Sequence, residues 1–182
     1  MNGDQADAVV LASTANEAAR LTQVHAPEWS TQARSLNYEP IVTVYARSAG
    51  SRLTQPMMAL RSDERHPAQF VFDLGAISGM DGVLAFVVSG AASWVTQGAE
   101  AVTAATLTQA REAMGSHLAS PLIGLRTTTE KRATFLCTPQ LQRPPARVLP
   151  GLLAAGDYVE GPYPATLEGA MRSGASASAA ID

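Results

Sequence analysis

The chain has 182 residues, of which 46% are hydrophobic and 16% are charged, and its formal net charge is −3. These proportions exclude an intrinsically disordered protein, and the chain lacks the basic excess that nucleic-acid binding needs. Cys137 is the only cysteine, which excludes a disulfide framework and favours a small, buried side chain at that position. No apolar run approaches the roughly 20 residues of a membrane-spanning helix, so we expect a cytoplasmic protein.

The first part of the chain predicts one strand followed by helices. Asn2-Gly3 is a strong signal for a tight hairpin turn, yet only Met1 precedes it. Three predicted elements follow: a buried strand at 6–12, a short helix at 16–21, and one or two helical turns within 26–36. A hairpin with one arm indicates either a frayed terminus or a chain that begins in the middle of a domain.

The middle of the chain predicts an antiparallel sheet with one long helix. The segment at 95–118 has the apolar periodicity of an amphipathic helix. Alternating apolar residues between turn signals predict strands at 40–48, 56–60, 68–75, 82–90 and 127–137. This β-meander and its helix lie between two α/β-like parts, a pattern typical of one domain inserted into another.

The last part of the chain predicts a strand, a loop and a helix. A proline-rich linker at 138–151 precedes the strand at 152–155, and the helix runs from about Ala165 to Ile181. Gly156 would allow a ligand to approach the backbone closely, and Asp157 could accept hydrogen bonds from a sugar-type hydroxyl. The beginning of the helix presents backbone N–H groups and a partial positive charge to an anion.

A structural explanation of the same residues has equal weight at this point. Gly169, Ser173 and Ala177 are four residues apart and would lie on one face of the helix. Such a stripe allows tight packing of the helix against the sheet, with Thr166 as the helix cap and no ligand.

Four segments together resemble the flavin-containing amine oxidase and phytoene desaturase superfamily. The string "GLLAAGDYVEGPYPATLEGAMRSG" (151–174) is similar to its C-terminal flavin-binding signature. Within the superfamily, "LNYEPIVTVYARS" (36–48), "QFVFDLG" (69–75) and "EKRATFLCTPQLQRP" (130–144) resemble the squalene-associated desaturases, the hydroxysqualene dehydroxylases of bacterial hopanoid synthesis. The resemblance runs from "ADAVVLAS" to the end of the chain.

The resemblance implies a mixed α+β and α/β fold, the C-terminal part of an FAD-linked two-domain protein. A partial Rossmann-like flavin domain would comprise 1–35 and 138–182, and an antiparallel-sheet substrate domain would comprise 36–137. The GxGxxG turn that holds the FAD pyrophosphate in such enzymes does not occur in this sequence. "GAISGMDG" (75–82) has another spacing and is expected to open no helix. The amino-terminal flavin-binding half is therefore an expected partner, and without it we expect an inactive chain.

The resemblance also implies residue roles at the cofactor. Gly156 and Asp157 match a Gly-Asp pair whose carboxylate approaches the ribityl chain of FAD. The other implied contacts are Ala165, Thr166 and Leu167 at the N1/O2 edge of the isoalloxazine, Tyr163 and Pro164 beside the ring, and, more loosely matched, Ala12 and Ser13.

The implied reaction is the reduction of hydroxysqualene to squalene by reduced FAD. The substrate is a C30 isoprenoid, which implies a peripheral contact with the inner face of the cell membrane. Apolar side chains on the predicted strands could line a tunnel for it or could simply form the core: Met57, Met58, Phe70, Phe72 and Phe86. No catalytic acid is identified; Asp73, Glu130 and Lys131 are candidates, for which a structural or solvated role is the alternative.

Two other classes of function are open at this point. The chain could be a non-catalytic remnant or lipid-binding module, or, within the enzyme class, a carotenoid-type desaturase that oxidises its substrate. A metal site is not expected, because His25, His66 and His117 are isolated from one another in the sequence.

Overall fold

The computed structural model describes residues 6–181, so the hairpin signal at Asn2-Gly3 lies outside the described residues. The elements are β1 (Val9–Leu11), α1 (Ala15–Thr22), α2 (Pro27–Arg34), β2 (Tyr38–Arg47), β3 (Met57–Ala59), β4 (Phe70–Asp73), α3 (Leu74–Ser78), β5 (Val83–Val88), α4 (Ala92–Gln97), α5 (Ala99–Met114), a 3-10 turn (Gly115–His117), β6 (Ile123–Phe135), β7 (Arg147–Leu149), β8 (Leu152–Ala154) and α6 (Leu167–Ala179). The fold is the mixed α and β fold that was expected.

The chain divides into two compact units. The terminal unit consists of the described residues up to 37 and from 135 onward, and the central unit consists of residues 38–134. These boundaries fall within three residues of the predicted ones. The flavin and substrate roles given to the two units stay predictions.

The terminal unit is built on a three-stranded sheet in the order β1-β8-β7. β1 and β8 run parallel, with Val9 opposite Leu152 and Leu11 opposite Ala154, and β7 pairs with β8 in the antiparallel direction. The prediction of a polyproline linker over 138–151 is therefore wrong for its last part. Arg147–Leu149 forms a strand there because the second edge of β8 offers backbone hydrogen-bond partners.

Alanines make up more than half of the buried hydrophobic residues of the terminal unit, although Trp29, Phe135 and Tyr158 are buried there as well. Leu153, Ala155 and Ala177 are buried together, with Val10 packed against them. α1 and α2 pack against each other mainly through alanines, and Trp29 of α2 donates a hydrogen bond from Nε1 to the carbonyl of Pro145 (2.8 Å). On α6, Ala177 packs into this interior, and Gly169 of the small-residue stripe is also buried.

The central unit is a five-stranded sheet in the order β3-β4-β5-β2-β6. β2 pairs antiparallel with β5, with Val44 opposite Phe86, and β4 lies on the other side of β5. Only β3, β4 and β5 form a meander, so the predicted meander is correct only in part. The insertion of β2 between β5 and β6 joins strands that are distant in sequence, which local patterns do not report.

The two faces of this sheet differ. One face is packed with α5 into a core of large side chains that includes Val42, Val44, Leu84, Phe86 and Met114. Strand alternation places Met57, Phe70 and Phe72 on the opposite face, which we call the outer face. Side chains on it are partly exposed, and Phe70 retains 39% of its accessible surface.

Two helices of the central unit differ from the sequence prediction. The single helix predicted at 95–118 is divided into α4 and α5 by Gly98, whose φ of 98° interrupts the helix. Within "GAISGMDG", the expectation that no helix opens is wrong, because the short α3 begins at Leu74. The Asp73 side chain caps α3 by accepting hydrogen bonds from the N–H groups of Gly75 and Ala76.

Candidate functional site

The candidate site lies at the carboxyl ends of the parallel strands of the terminal unit. Leu11 and Ala154 are paired there, and the N–H of Ala155 donates to the carbonyl of Leu11 (3.1 Å). The segments that follow these strands, Ala12-Ser13 and Gly156-Asp157, therefore leave the sheet at the same edge. Ligands of α/β sheets bind at this edge, because the loops that follow parallel strands meet there.

Gly156 is required by a neighbouring side chain rather than by an approaching ligand. A Cβ atom at this position would lie 2.5 Å from Cε1 and 2.7 Å from Cδ1 of the Tyr158 ring, which is 1% exposed. The N–H of Gly156 donates to Oγ of Ser173 on α6 (3.2 Å). The predicted close approach thus exists, but the Tyr158 ring makes it.

Asp157 is a half-buried carboxylate at the edge of the sheet. Burial raises the pKa of this carboxyl above its usual range, while hydrogen bonds from backbone N–H groups and the charge of Arg143 act in the opposite direction. A carboxylate in this setting is poorly hydrated and is therefore a strong acceptor for a ligand hydroxyl.

The helix that follows begins two residues later than predicted. Tyr163 and Ala165 both have φ of 56°, a left-handed conformation that costs non-glycine residues on the order of 1–3 kcal/mol and is concentrated at functional sites. The N–H of Ala165 is directed to the carbonyl of Asp157 (3.4 Å). α6 starts at Leu167, so the N–H groups without an intrahelical acceptor belong to Leu167 and Glu168.

Thr166 is the cap of α6, as its position in the sequence indicated. Its Oγ1 accepts a hydrogen bond from the N–H of Gly169 (3.0 Å) and donates one to the carbonyl of Tyr163 (2.7 Å). Gly169 lies against that same carbonyl, since a Cβ there would collide with the Tyr163 oxygen. The glycine inside the helix is thus explained by the loop folding back onto the first turn.

The surface in front of α6 is apolar and exposed. Leu167 is 86% exposed, Met171 is 72% exposed and Tyr163 is 52% exposed. Arg172 lies over the Tyr163 ring, 4.9 Å from its centroid, and its Nε donates to Oε1 of Glu168 (2.6 Å). A flat aromatic ring system could lie on this surface with one polar edge directed at the helix N-terminus.

Together, Asp157, the start of α6 and the apolar surface in front of it fit one part of FAD. A half-buried carboxylate suits the ribityl hydroxyls, a helix N-terminus suits the N1/O2 edge of the flavin, and an exposed apolar surface suits its rings. The pyrophosphate has no equivalent among residues 6–181. In "GAISGMDG" the N–H groups of Gly75 and Ala76 already donate to the Asp73 carboxylate, so they are not free to bind a phosphate.

The candidate acids of the central unit are not gathered into a site. Asp73 is 1% exposed, and its two oxygens accept hydrogen bonds from three backbone N–H groups, including that of Leu53 (3.0 Å). These bonds give Asp73 a structural role. Glu130 and Lys131 are exposed on β6, and Cys137 is also exposed, contrary to expectation.

Arg143 is a residue that the sequence prediction missed. Its guanidinium donates to the backbone carbonyls of Asp157, Val159 and Gly161, across the loop that carries Asp157. The signal available in the sequence was an arginine within a proline-rich segment, which is unusual for a flexible linker.

Comparison with known proteins assigns the family. The model of the flavin containing amine oxidoreductase family matches residues 2–182, and the chain belongs to this family. The family is flavin-containing, so the cofactor it implies is FAD. No curated protein matches the sequence significantly.

Solved structures share the fold over nearly the whole chain. An oxidoreductase from Methanosarcina mazei aligns with a TM-score of 0.66 at 12% identity, covering 97% of this chain and 43% of that one. A protein from Exiguobacterium sp. 255-15, assigned as a protoporphyrinogen oxidase, aligns with a TM-score of 0.63 at 17% identity, covering 98% and 41%. The chain thus spans less than half the length of these two proteins.

None of the helices formed by residues 6–181 combines the length and the hydropathy that crossing a bilayer requires.

Proposed function

We propose that this chain is the carboxyl-terminal part of an FAD-dependent oxidoreductase that reduces hydroxysqualene to squalene. The proposal rests above all on one structural observation, the partly exposed apolar outer face of the central sheet. The sequence resemblance at 36–48, 69–75, 130–144 and 151–174 to the squalene-associated branch supports the same substrate.

The outer face suits a long hydrocarbon substrate. Phe70 pairs with Val87 and Phe72 pairs with Ala85 across the sheet, and Met57 lies opposite Phe72 on the next strand. Side chains of this kind offer contiguous apolar contact without a hydrogen-bond requirement, as an isoprenoid chain needs. Two of the predicted tunnel residues are not on the outer face. Phe86 is buried in the core on the other side of the sheet, and Met58 packs against that core.

The terminal unit would hold the reactive part of the cofactor. Asp157 would accept a hydrogen bond from a ribityl hydroxyl, and the N–H groups at the start of α6 would face the N1/O2 edge. Tyr163, Pro164 and Leu167 would lie beside the rings. Gly156, Ala165 and Thr166 would act through the loop, by setting where Asp157 and the helix start.

Reduced FAD supplies a hydride, so that the overall reaction replaces the allylic C–O bond by C–H and releases water after one proton is taken up. The residues described here bind and orient. In the terminal unit, the helix N-terminus would stabilise negative charge at the flavin edge. In the central unit, the apolar outer face would exclude water from the hydrocarbon chain of the substrate. Asp73 is not assigned as the proton donor, because three backbone N–H groups hold its carboxylate.

The expected partner is an amino-terminal flavin-binding half that supplies the pyrophosphate loop. Two features support this proposal. Val9, on the edge strand of a parallel pair, is 45% exposed, and the side of α6 that bears Leu167 and Met171 is apolar and open. A further strand could pair with the edge of β1, and helices packed on the sheet and beside α6 would cover these apolar side chains, since parallel sheets are normally covered on both faces.

The test is an anaerobic turnover assay with hydroxysqualene in detergent. The chain is supplied with dithionite-reduced FAD, alone and together with the amino-terminal half of a family member. We expect squalene, detected by gas chromatography with mass spectrometry, only when both halves and reduced FAD are present. Phe70→Ala should raise KM, whereas Leu125→Ala, an exposed apolar residue on β6, should leave KM unchanged.

Other outcomes would favour the alternatives. A more unsaturated product formed with oxidised FAD would replace the proposal by a carotenoid-type desaturase. Binding of hydroxysqualene without FAD-dependent turnover in any combination would replace it by a lipid-binding module.

A further inference from the structure

Arg143 joins three points of the loop between β8 and α6. Its Nη1 donates to the carbonyl oxygens of Val159 (2.8 Å) and Asp157 (3.4 Å), and its Nη2 donates to the carbonyl oxygen of Gly161. A planar guanidinium with several fixed donors can join such a set of carbonyls, whereas an ammonium group presents only one nitrogen.

The backbone that carries Arg143 is itself held in place. Nε2 of Gln32 on α2 donates to the carbonyl of Arg143 (3.0 Å), and Nε1 of Trp29 donates to the carbonyl of Pro145 (2.8 Å). The N–H of Glu160 donates to the carbonyl of Pro144 (2.9 Å). The guanidinium is therefore a fixed point relative to α2, and the loop is tied to it.

The loop needs such a support because of its own conformation. Residues 155–166 form neither a helix nor a strand, and their carbonyls lack the regular partners that such elements provide. The loop also contains two non-glycine residues with positive φ, Tyr163 and Ala165. Strained backbone persists only where surrounding contacts determine it, and Arg143 supplies such contacts to the first half of the loop.

We propose that Arg143 is a positioning residue for the cofactor: it fixes the loop at 157–161 and so sets the place of the Asp157 carboxylate. This inference rests on the proposed function, in which Asp157 binds the ribityl chain. Arg143 also opposes the effect of burial on the pKa of Asp157, which keeps that side chain available as a charged acceptor.

The first test measures the loop itself and needs no flavin. Amide hydrogen exchange is followed in the wild-type chain, in Arg143→Lys and in Arg143→Gln. The reporters are the N–H groups of Glu160 and Ala165, which are hydrogen-bonded within this region. We expect exchange on the order of tenfold faster in Arg143→Gln, with a smaller change in Arg143→Lys. Arg147→Gln, an exposed arginine on β7 with the same change in charge, should exchange like the wild type.

The second test combines the chain with an amino-terminal flavin-binding half and measures FAD affinity by quenching of flavin fluorescence as a function of pH. In Arg143→Gln we expect affinity to fall on the order of tenfold, and its loss on acidification to begin at a higher pH than in the wild type. Arg143→Lys should keep the wild-type pH profile because it keeps the charge. A purely structural residue would lower affinity without moving that profile.

The outcomes separate this inference from the function on which it rests. Unchanged exchange at Glu160 and Ala165 in Arg143→Gln would overturn it, and so would faster exchange with unchanged FAD affinity. If the wild type binds FAD and Asp157→Asn binds it equally well, the proposed site fails even where the exchange result holds.

Discussion

The two units of this chain stabilise themselves in different ways. The central unit has its own core, in which Leu84 and Phe86 of β5 and Met114 of α5 are 0% exposed. The terminal unit has a three-stranded sheet with mostly small buried side chains, while Leu167 and Met171 remain exposed on α6. Burial of apolar area is the main favourable contribution to folding, so the central unit is expected to be the more stable of the two.

The difference matches the roles proposed for the units. A sheet that binds a substrate on one face needs a complete core on the other. A unit that shares a cofactor with a further part of the protein leaves open the surfaces that the other part would cover. We therefore expect the isolated chain to aggregate through the terminal unit, where an exposed strand edge and apolar side chains lie together.

The largest effect is expected from removal of a core aromatic ring in the central unit. Phe86→Ala should lower the free energy of unfolding by about 3–5 kcal/mol, because a cavity replaces a fully buried ring. The matched control is Phe70→Ala on the outer face, which should cost about 1 kcal/mol. Urea denaturation monitored by circular dichroism measures both. An equal loss of unfolding free energy in the two variants would show that Phe70 is packed as fully as the core residue Phe86.

The next largest effect is expected at two glycines of α6, where replacement by alanine should change stability in opposite directions. Gly169→Ala places a Cβ against the Tyr163 carbonyl and should destabilise the terminal unit by about 1–3 kcal/mol. Gly174→Ala has open space around its Cβ and should stabilise the helix by up to about 1 kcal/mol. Thermal unfolding compares the two variants. A stabilising Gly169→Ala would mean that the loop does not lie on the first turn.

A smaller effect is expected at the cap of α3. Asp73→Ala removes the acceptor of three backbone N–H groups and should cost about 1–2 kcal/mol. Asp81→Ala, which removes an exposed ion pair with Arg52, should cost less than about 1 kcal/mol. Chemical denaturation checks both, and turnover should be unchanged in Asp73→Ala once it is folded. Loss of turnover in a stably folded Asp73→Ala protein would instead assign Asp73 a catalytic role.

The smallest effect is a pH dependence at the hairpin that precedes β4. His66 lies 2.9 Å from carboxylate oxygens of both Asp63 and Glu112, and the hydrogen bond with Asp63 is the main cause of its raised pKa. The same contact lowers the pKa of Asp63 to about 2. The contribution of protonated His66 to the free energy of unfolding is therefore fully present below its unfolded pKa of about 6.5. It is lost as the pH rises through the higher pKa of the folded state.

The contribution of Asp63 is present above its unfolded pKa of about 4 and is lost only as the pH falls toward 2. Melting temperatures between pH 5.5 and 8.5 should therefore decline in the wild type and be flatter in His66→Gln. His25→Gln, at an exposed histidine, serves as control. An identical decline in His66→Gln would assign the pH dependence to other groups.

Local patterns predicted most of the elements of the fold. The strands of the central sheet and the last helix were found because alternation and small-residue spacing are local signals. The break at Gly98 was missed because the apolar period continues across it. The strand β7 was missed because its pairing depends on β8, whereas the prolines on either side of it predicted a linker. The order of the central sheet required contacts between distant segments, which one sequence does not report.

The candidate site divides in the same way. Thr166 as a cap and Asp157 after a strand could be read from the sequence. The left-handed residues Tyr163 and Ala165 shifted the helix start, and no propensity predicts positive φ at tyrosine or alanine. An arginine within a proline-rich segment was the available signal for Arg143, but its acceptors could not be predicted, because they are three backbone carbonyls without a sequence signature.

The central claim is that the loop and helix start of the terminal unit bind the reactive part of FAD. It is tested most directly by titrating FAD into the chain combined with an amino-terminal flavin-binding half, with wild-type protein and Asp157→Asn side by side. We predict flavin fluorescence quenching in the wild type and an affinity at least about tenfold weaker in Asp157→Asn. Equal affinity in the two proteins would contradict it.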